Sequence, residues 1–266
     1  MREPARAAGE GAVRATPRPT VSARIGPNAI IQTAAAVAEF AGADEAAALL
    51  ASTSWSLQRL PRHMVDEQEV SALMRAVADR FPGASGHRIA RDAGERTADY
   101  LLRVRIPRGA QWLLARLPRR LSLRLLLGAI RRHAWTFAGS ARFVVSGRDG
   151  AGGSDATFSL IGCPVCRGRH ATDPACTYYA ATVERLVQAI VQPTASVREE
   201  RCEALGHDAC RFAIHLAPAR PPGEQGGRRS GDAATLQALT DNVSQSRGSS
   251  ISMNSASGEP GSKTGL

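Results

Sequence analysis

The sequence predicts an α+β protein, with N-terminal helices packed against a C-terminal antiparallel sheet that one helix crosses. Three observations predict it. Apolar residues recur at helical spacing from Ile30 to Ile130, and from Phe137 the period changes to two. Within that later part, Tyr179, Val183, Leu186, Val187 and Ile190 return to helical spacing, which supplies the crossing helix. A chain of 266 residues has room for a sizeable core in one large domain or two small ones.

Residues 1–20 are rich in Ala, Gly, Pro and Arg without any period, so a disordered leader is expected. Asn28 is placed to cap a helix running to about Phe40, with Ile30, Ala34, Val37 and Ala38 on one face. Asp44 and Glu45 suit the first turn of a second helix that ends near Leu50. Residues 65–81 form a third, with Val70, Leu73, Met74 and Val77 inward and Pro82-Gly83 as its stop. Ile89, Ala93, Thr97, Tyr100 and Leu101 stripe a fourth, which Pro107 stops.

Between Tyr100 and Trp135 stand nine arginines and no acidic residue. Leu113, Leu114, Leu117, Leu121, Leu125, Leu126 and Ile130 interleave with them. The simpler account is a helical pair with a core face and a solvated basic face. The sharper one is an interfacial segment that meets anionic lipid, or arginines aimed at a ligand carboxylate. Residues 21–136 are therefore read as a helical region.

Residues 137–217 hold the sheet. Residues 142–145 and 157–161 alternate as strands, joined by a glycine-rich loop over 147–154. The crossing helix breaks at Pro193, and strands near 195–201 and 211–216 follow. Residues 218–266, poor in apolar side chains, are expected to be a disordered tail.

The formal net charge is +10, and only Lys263 among 34 basic residues is a lysine. That skew fits a coding bias as well as a binding need. No basic block interleaves with aromatics and no recognition-helix or finger pattern occurs, which argues against nucleic acid as a partner. No apolar run reaches the ~20 residues that span a bilayer, and the N-terminus has no apolar core of a secretory signal. With an odd number of cysteines, five, these features favour reduced thiols and metal over disulfides, and the cytoplasm as compartment.

All five cysteines lie between Cys163 and Cys210, spaced C-x2-C-x9-C-x25-C-x7-C. Cys202 and Cys210, with Gly206 and His207 between them, read as the mouth of a tight hairpin that brings two thiolates together. Zn²⁺ needs further soft or borderline donors. Cys176 can supply one, and the fourth place is open to Glu199, Glu200, His207 or His170. Cys163, Cys166, His170 and Cys176 form a second quartet, and spacing does not choose between the two. Cys163-Pro164-Val165-Cys166 does not suit a redox pair, because the Arg167-Gly168-Arg169-His170 that follows is polar and loop-like. The cysteine spacing is not that of a common iron–sulfur protein. The glycine cluster sits between strands rather than opening a helix, so no nicotinamide or flavin fingerprint is found.

Residues 24–216 resemble the bacteriochlorophyll 4-vinyl (8-vinyl) reductase family. The resemblance is carried by Arg24-Ile25-Gly26-Pro27-Asn28, Asp66-Glu67-Gln68-Glu69-Val70, Arg105-Ile106-Pro107, His133-Ala134-Trp135-Thr136-Phe137-Ala138-Gly139 and the Cys202–Cys210 hairpin. Residues from about 130 to 216 are similar to the wider 4-vinyl reductase domain, a small-molecule-binding module also found in sensors of aromatic compounds. It implies a fold related to haem-based nitric-oxide sensors and vesicle-tethering subunits. In the sensor relatives a zinc is held by a cysteine, a glutamate and two further cysteines, and those places fall here on Cys176, Glu199, Cys202 and Cys210. The resemblance thus favours this quartet as a structural zinc site. In a regular strand Glu200 would share a face with Cys202 while Glu199 points away; a β-bulge near Arg201 reconciles Glu199 with the pattern.

The resemblance further implies a pigment partner. A lone His beside Trp is most often a satisfied core residue, but His133 can also meet the Mg²⁺ or edge of a chlorin, with Trp135, Phe137 and Phe143 stacking on the ring. The expected function is binding of a divinyl Mg-tetrapyrrole, a chlorophyllide or protochlorophyllide, as carrier or accessory factor for 8-vinyl reduction. The expected partners are other enzymes of the pathway and a peripheral membrane contact. The alternatives are the reductase itself and a sensor of a small hydrophobic ligand. No residue is singled out as catalytic.

Overall fold

The computed structural model of the chain describes residues 23–147 and 153–216. The expected leader, the expected tail and the middle of the glycine loop lie outside them. Within them the protein is α+β, with eight α-helices and a four-stranded antiparallel sheet.

Strand β1 (Arg24–Ile25) pairs with β2 (Val65–Asp66), and helices α1 (Asn28–Ala41) and α2 (Ala43–Leu50) lie between them. Ile30, Ala34 and Val37 are buried on α1, while Ala38 is half-buried. Asn28 does not cap α1. Pro27 holds the N-cap position and makes no side-chain bond; its fixed φ and missing N–H suit a helix start, so Asn28 becomes the first helical residue.

Helix α3 (Glu67–Arg80) begins two residues later than expected, because Val65 and Asp66 pair with β1 and Asp66 then caps the helix. Asp66 Oδ1 accepts from the Gln68 amide at 2.7 Å. Helix α4 (Ala84–Tyr100) runs into one π-helical turn, Leu101–Arg105. Helices α5 (Arg108–Arg116), α6 (Arg119–His133) and the single turn α7 (Trp135–Ala138) complete the helical part.

The sheet is ordered β3 (Arg142–Ser146), β4 (Ala156–Ile161), β6 (Cys210–His215), β5 (Ser196–Arg201), antiparallel throughout. Helix α8 (Thr177–Ile190) crosses from β4 to β5 and packs against α4. That crossing is close because Gly94 has no side chain. A Cβ there would stand 2.5 Å from the Tyr178 carbonyl oxygen and 2.9 Å from Ala181 Cβ. On the sheet, Phe143, Phe158 and Phe212 stack across three neighbouring strands, with centroids 5.1 and 4.5 Å apart. Cys202 and Cys210 are joined by a 3-10 turn, Glu203–Leu205, with Gly206 left-handed at φ 87°. That turn replaces the tight two-residue hairpin expected from the sequence.

Candidate metal centre

Three segments bring all five cysteines to one buried place: the loop after β4, the residue before α8, and the loop between β5 and β6. The Cys166 sulfur lies 3.2 Å from Cys176, 3.6 Å from Cys202 and 3.5 Å from Cys210. Cys176 is also 3.5 Å from Cys163 and 3.5 Å from Cys210. Two sets of four donors each fit within 4.8 Å: Cys176, Glu199, Cys202 and Cys210, and Cys163, Cys166, Cys176 and Cys210. His170 and His207 are exposed and belong to neither set.

Glu199 reaches the sulfurs through a backbone irregularity. Opposite β6, Glu199 pairs with Phe212 but Arg201 pairs with Arg211, so Glu200 is an extra residue. This bulge turns Glu199 inward and leaves Glu200 exposed beside Arg211, 3.5 Å away. Glu199 Oε2 accepts from the Cys176 amide at 3.0 Å. Its other oxygen is buried and has no hydrogen-bond partner.

The electrostatics are uneven. Burial, with charge on Cys202, pushes the Glu199 carboxyl up to about 9. Donation from Cys166 brings the Cys202 thiol down to about 6, and donation from Cys163 does the same for Cys210. Backbone amides add to this, from Ala175 to the Cys202 sulfur and from Glu203 to the Cys210 sulfur, each at 3.4 Å. Buried sulfurs that collect N–H donors, beside a carboxylate oxygen with nothing to bind, are a donor set that fits Zn²⁺.

The Cys163–Cys166 turn is braced on three sides, by residues that sequence reasoning missed. The Glu203 carboxylate accepts from the amides of Gly162 and Cys163, at 2.6 and 2.8 Å. The Ser71 hydroxyl donates to the Pro164 carbonyl at 2.9 Å. Arg167 donates to Glu67 at 2.8 Å, and Glu67 also accepts from the amide and hydroxyl of Ser140 at 2.8 and 2.9 Å. Burial alone would raise the Glu67 carboxyl; these Ser140 and Arg167 bonds outweigh it and hold it below the usual range. Gly139 lies against this carboxylate at φ 58°, where a Cβ would stand 2.4 Å from Oε2. The Gly26 amide donates to the Thr136 carbonyl at 2.6 Å. Three of the motifs quoted from the sequence therefore meet in space, around Glu67 and α7.

The vinyl-4-reductase (V-4-R) domain matches residues 157–216, which contain every one of these cysteines. Beyond it, the bacteriochlorophyll synthase 23 kDa chain of Cereibacter sphaeroides is 40% identical over 202 residues, 76% of this chain and 95% of that protein. The chain belongs to the bacteriochlorophyll synthase 23 kDa chain family. Its Rhodobacter capsulatus member is 34% identical over 72% of this chain and 87% of its own length. Among solved structures, an H-NOX protein from S. oneidensis in the Fe(II)NO ligation state matches with TM-score 0.44 and 13% identity, over 73% of this chain and 100% of its own. A trafficking protein particle complex subunit 3 from Naegleria fowleri matches with TM-score 0.37 and 11% identity, over 55% and 82%.

In this 23 kDa family member the four residues expected around a pigment part company. Phe137 and Phe143 meet edge to face, centroids 6.0 Å apart, but Phe143 is buried in the phenylalanine stack and Phe137 leans on Tyr179. Trp135 is 59% exposed. His133 is exposed too, with Nδ1 2.9 Å from the Ala129 carbonyl oxygen of its own helix.

A groove of about 590 Å³ opens between α6 and strands β3 and β4. Leu123, Leu127 and Val145 line it together with Arg120, Arg124 and Arg131. A second cavity of about 290 Å³ lies between α3, α4 and the start of α8. None of the four expected pigment residues lines either one. Helix α5 buries no residue at all; Trp112 is 57% exposed on it, with the Arg116 guanidinium 3.8 Å above its ring. Among the described residues no helix is long and apolar enough to cross a membrane.

Proposed function

We propose that this protein acts in bacteriochlorophyll synthesis by binding a divinyl Mg-tetrapyrrole and presenting it to another enzyme of the pathway. The observation that carries this reading is the relationship to the 23 kDa chain across 95% of that protein. The α6 groove suits such a ligand. Its volume lies in the ~300–1,000 Å³ range of small-molecule sites, its leucines offer an apolar wall, and three arginines can pair with a chlorophyllide carboxylate. His133 and Trp135, exposed just beyond the end of that helix, are free to meet the edge of a ring that overhangs it.

Zinc held by Cys176, Glu199, Cys202 and Cys210 supplies a cross-link between α8 and the β5–β6 loop. These residues fill a tetrahedron, so the ion braces the sheet rather than activating water. The exposed Trp112 and Leu113, among arginines and without acidic neighbours in sequence, suit an anionic membrane face, where such pigments and their enzymes can be met.

The test is a titration of the purified protein with divinyl protochlorophyllide. A saturable red shift in absorbance without change of product is expected, and Arg124→Ala with Arg131→Ala should weaken it. Turnover to the monovinyl pigment with NADPH or reduced ferredoxin would make the protein the reductase and overturn the carrier reading.

A further inference from the structure

Two tetrahedral ions that share one edge require six donors, two of which bridge. The cluster holds six: five sulfurs and Glu199. Its two quartets share Cys176 and Cys210 and otherwise use different residues. We infer that the centre is binuclear, with Cys176 and Cys210 bridging two zinc ions. Glu199 and Cys202 complete one ion, and Cys163 and Cys166 complete the other. The first ion is the one invoked in the proposed function; the second is new.

The geometry supports a shared edge. A Zn–S bond of about 2.3 Å at a tetrahedral angle places sulfurs about 3.8 Å apart, and repulsion between two cations shortens the edge they share. Cys176 and Cys210 are 3.5 Å apart, and the Cys163–Cys176 and Cys166–Cys210 distances are also 3.5 Å. Cys163 and Cys166 are no incidental thiols. Their turn is wound so that the amides of Cys166 and Arg167 both donate to the Cys163 carbonyl, at 3.1 and 3.0 Å, and Arg169 donates to that of Cys166 at 3.0 Å. Such a turn aims two sulfurs at one point, as the C-x2-C spacing of zinc sites does. Glu203, Ser71 and the Arg167–Glu67 pair then hold it against the rest of the cluster.

The alternative to a second ion is two protonated thiols packed against thiolates. A thiol is a weak donor, and Cys166 approaches three sulfurs at once within 3.6 Å with one proton to share. All five sulfur-bearing residues are buried, so water does not relieve the crowding. A second divalent ion does.

Native mass spectrometry with elemental analysis of the full chain tests this. Two zinc ions per chain are expected, falling to one in Cys163→Ser and to one in Cys202→Ser. Should those variants not fold, the cadmium-substituted wild type gives the same answer, with two ¹¹³Cd resonances, one of all-sulfur and one of mixed sulfur–oxygen type. A single ion or a single resonance overturns the binuclear centre. If that single ion is lost with Cys202→Ser and kept in Cys163→Ser, the one-ion reading of the proposed function survives; a chain without metal sinks both, and the pigment titration stands apart from either result.

Discussion

The Glu199 carboxylate accepts the amide of Cys176 at 3.0 Å, so a strand and a helix start are joined beside the sulfurs through one side chain. Its second oxygen, buried and without a partner, is the one left for a metal. Glu199→Gln should therefore weaken zinc binding by more than the roughly 10–100-fold that loss of a supporting residue costs. Glu200→Gln should leave it unchanged, because Glu200 is exposed beside Arg211. Competition with a chromophoric chelator reads both. Equal affinity of the two variants would assign the carboxylate wrongly.

Removal of metal should loosen one region and spare another. The five cysteines knit the β4–α8 loop to the β5–β6 loop, whereas α1, α3 and α4 carry their own apolar contacts. Chelation is expected to raise amide exchange in residues 162–176 and 202–210 well before it does so in α4. A uniform rise across the chain would show the centre to be needed for the whole fold.

Glu67 ties this region to acid stability. Its folded carboxyl is held below the usual value by Ser140 and Arg167 despite burial. The stabilisation is then fully present above the unfolded carboxyl's value and lost as pH falls through the lower folded one. At neutral pH Glu67→Gln should cost about 1.5–3 kcal/mol, the usual worth of a hydrogen bond to a charged group. The gap in Tm between wild type and variant should narrow below about pH 4.5. A gap that stays constant to pH 3 would contradict the pairing.

How much of this was legible in the sequence follows from the range of each interaction. The stripe of Val70, Leu73, Met74 and Val77 is buried as read, because burial of one helix face leaves a local period. The bulge at Glu200 was foreseeable as well: strand alternation and a Cys-Glu-Cys-Cys donor set conflict unless one residue is extra. Asn28 misled, since a proline one residue earlier starts the helix without a side-chain cap. The Arg167–Glu67 pair spans 100 residues and leaves no periodic trace. Nor did the amphipathic pattern of α5 distinguish a helix that covers a core from one that covers nothing, because both alternate arginine with leucine. The Phe143 stack shows the same limit: an aromatic on a strand reads alike whether it meets a ligand or two other phenylalanines.

The crossing of α4 over α8 depends on the missing side chain at Gly94. The Thr182 hydroxyl reaches the Gly94 carbonyl at 3.2 Å, so the two helix backbones nearly touch there. Gly94→Ala removes a helix-weakening glycine, which by itself favours the helix by about 1 kcal/mol. Against that, the new methyl meets backbone rather than a movable side chain end, at 2.5 Å from the Tyr178 oxygen. Overpacking of this kind costs about 1–3 kcal/mol, and the steric term should win. A fall in Tm is expected, at about 2–4 °C for each net kcal/mol in a chain of this size. A Tm at or above that of the wild type would mean the helices have room to separate.

Helix α5 gives the last prediction. Trp112 and Leu113 are both more than half exposed, and Arg108 and Arg116 stand at its two ends. Burying those apolar groups in a headgroup layer while the arginines meet anionic lipid gains both hydrophobic and electrostatic energy. Sedimentation with vesicles containing about a third phosphatidylglycerol should carry the protein down at low salt. Each juxtamembrane arginine is worth about 1 kcal/mol at an anionic surface, so Arg108→Gln with Arg116→Gln should weaken binding roughly 30-fold, and salt should do likewise. Trp112→Ala should weaken it without altering its salt dependence, because it removes buried area and not charge. Binding that is equal on neutral phosphatidylcholine vesicles would leave the arginines of this helix without the role given them.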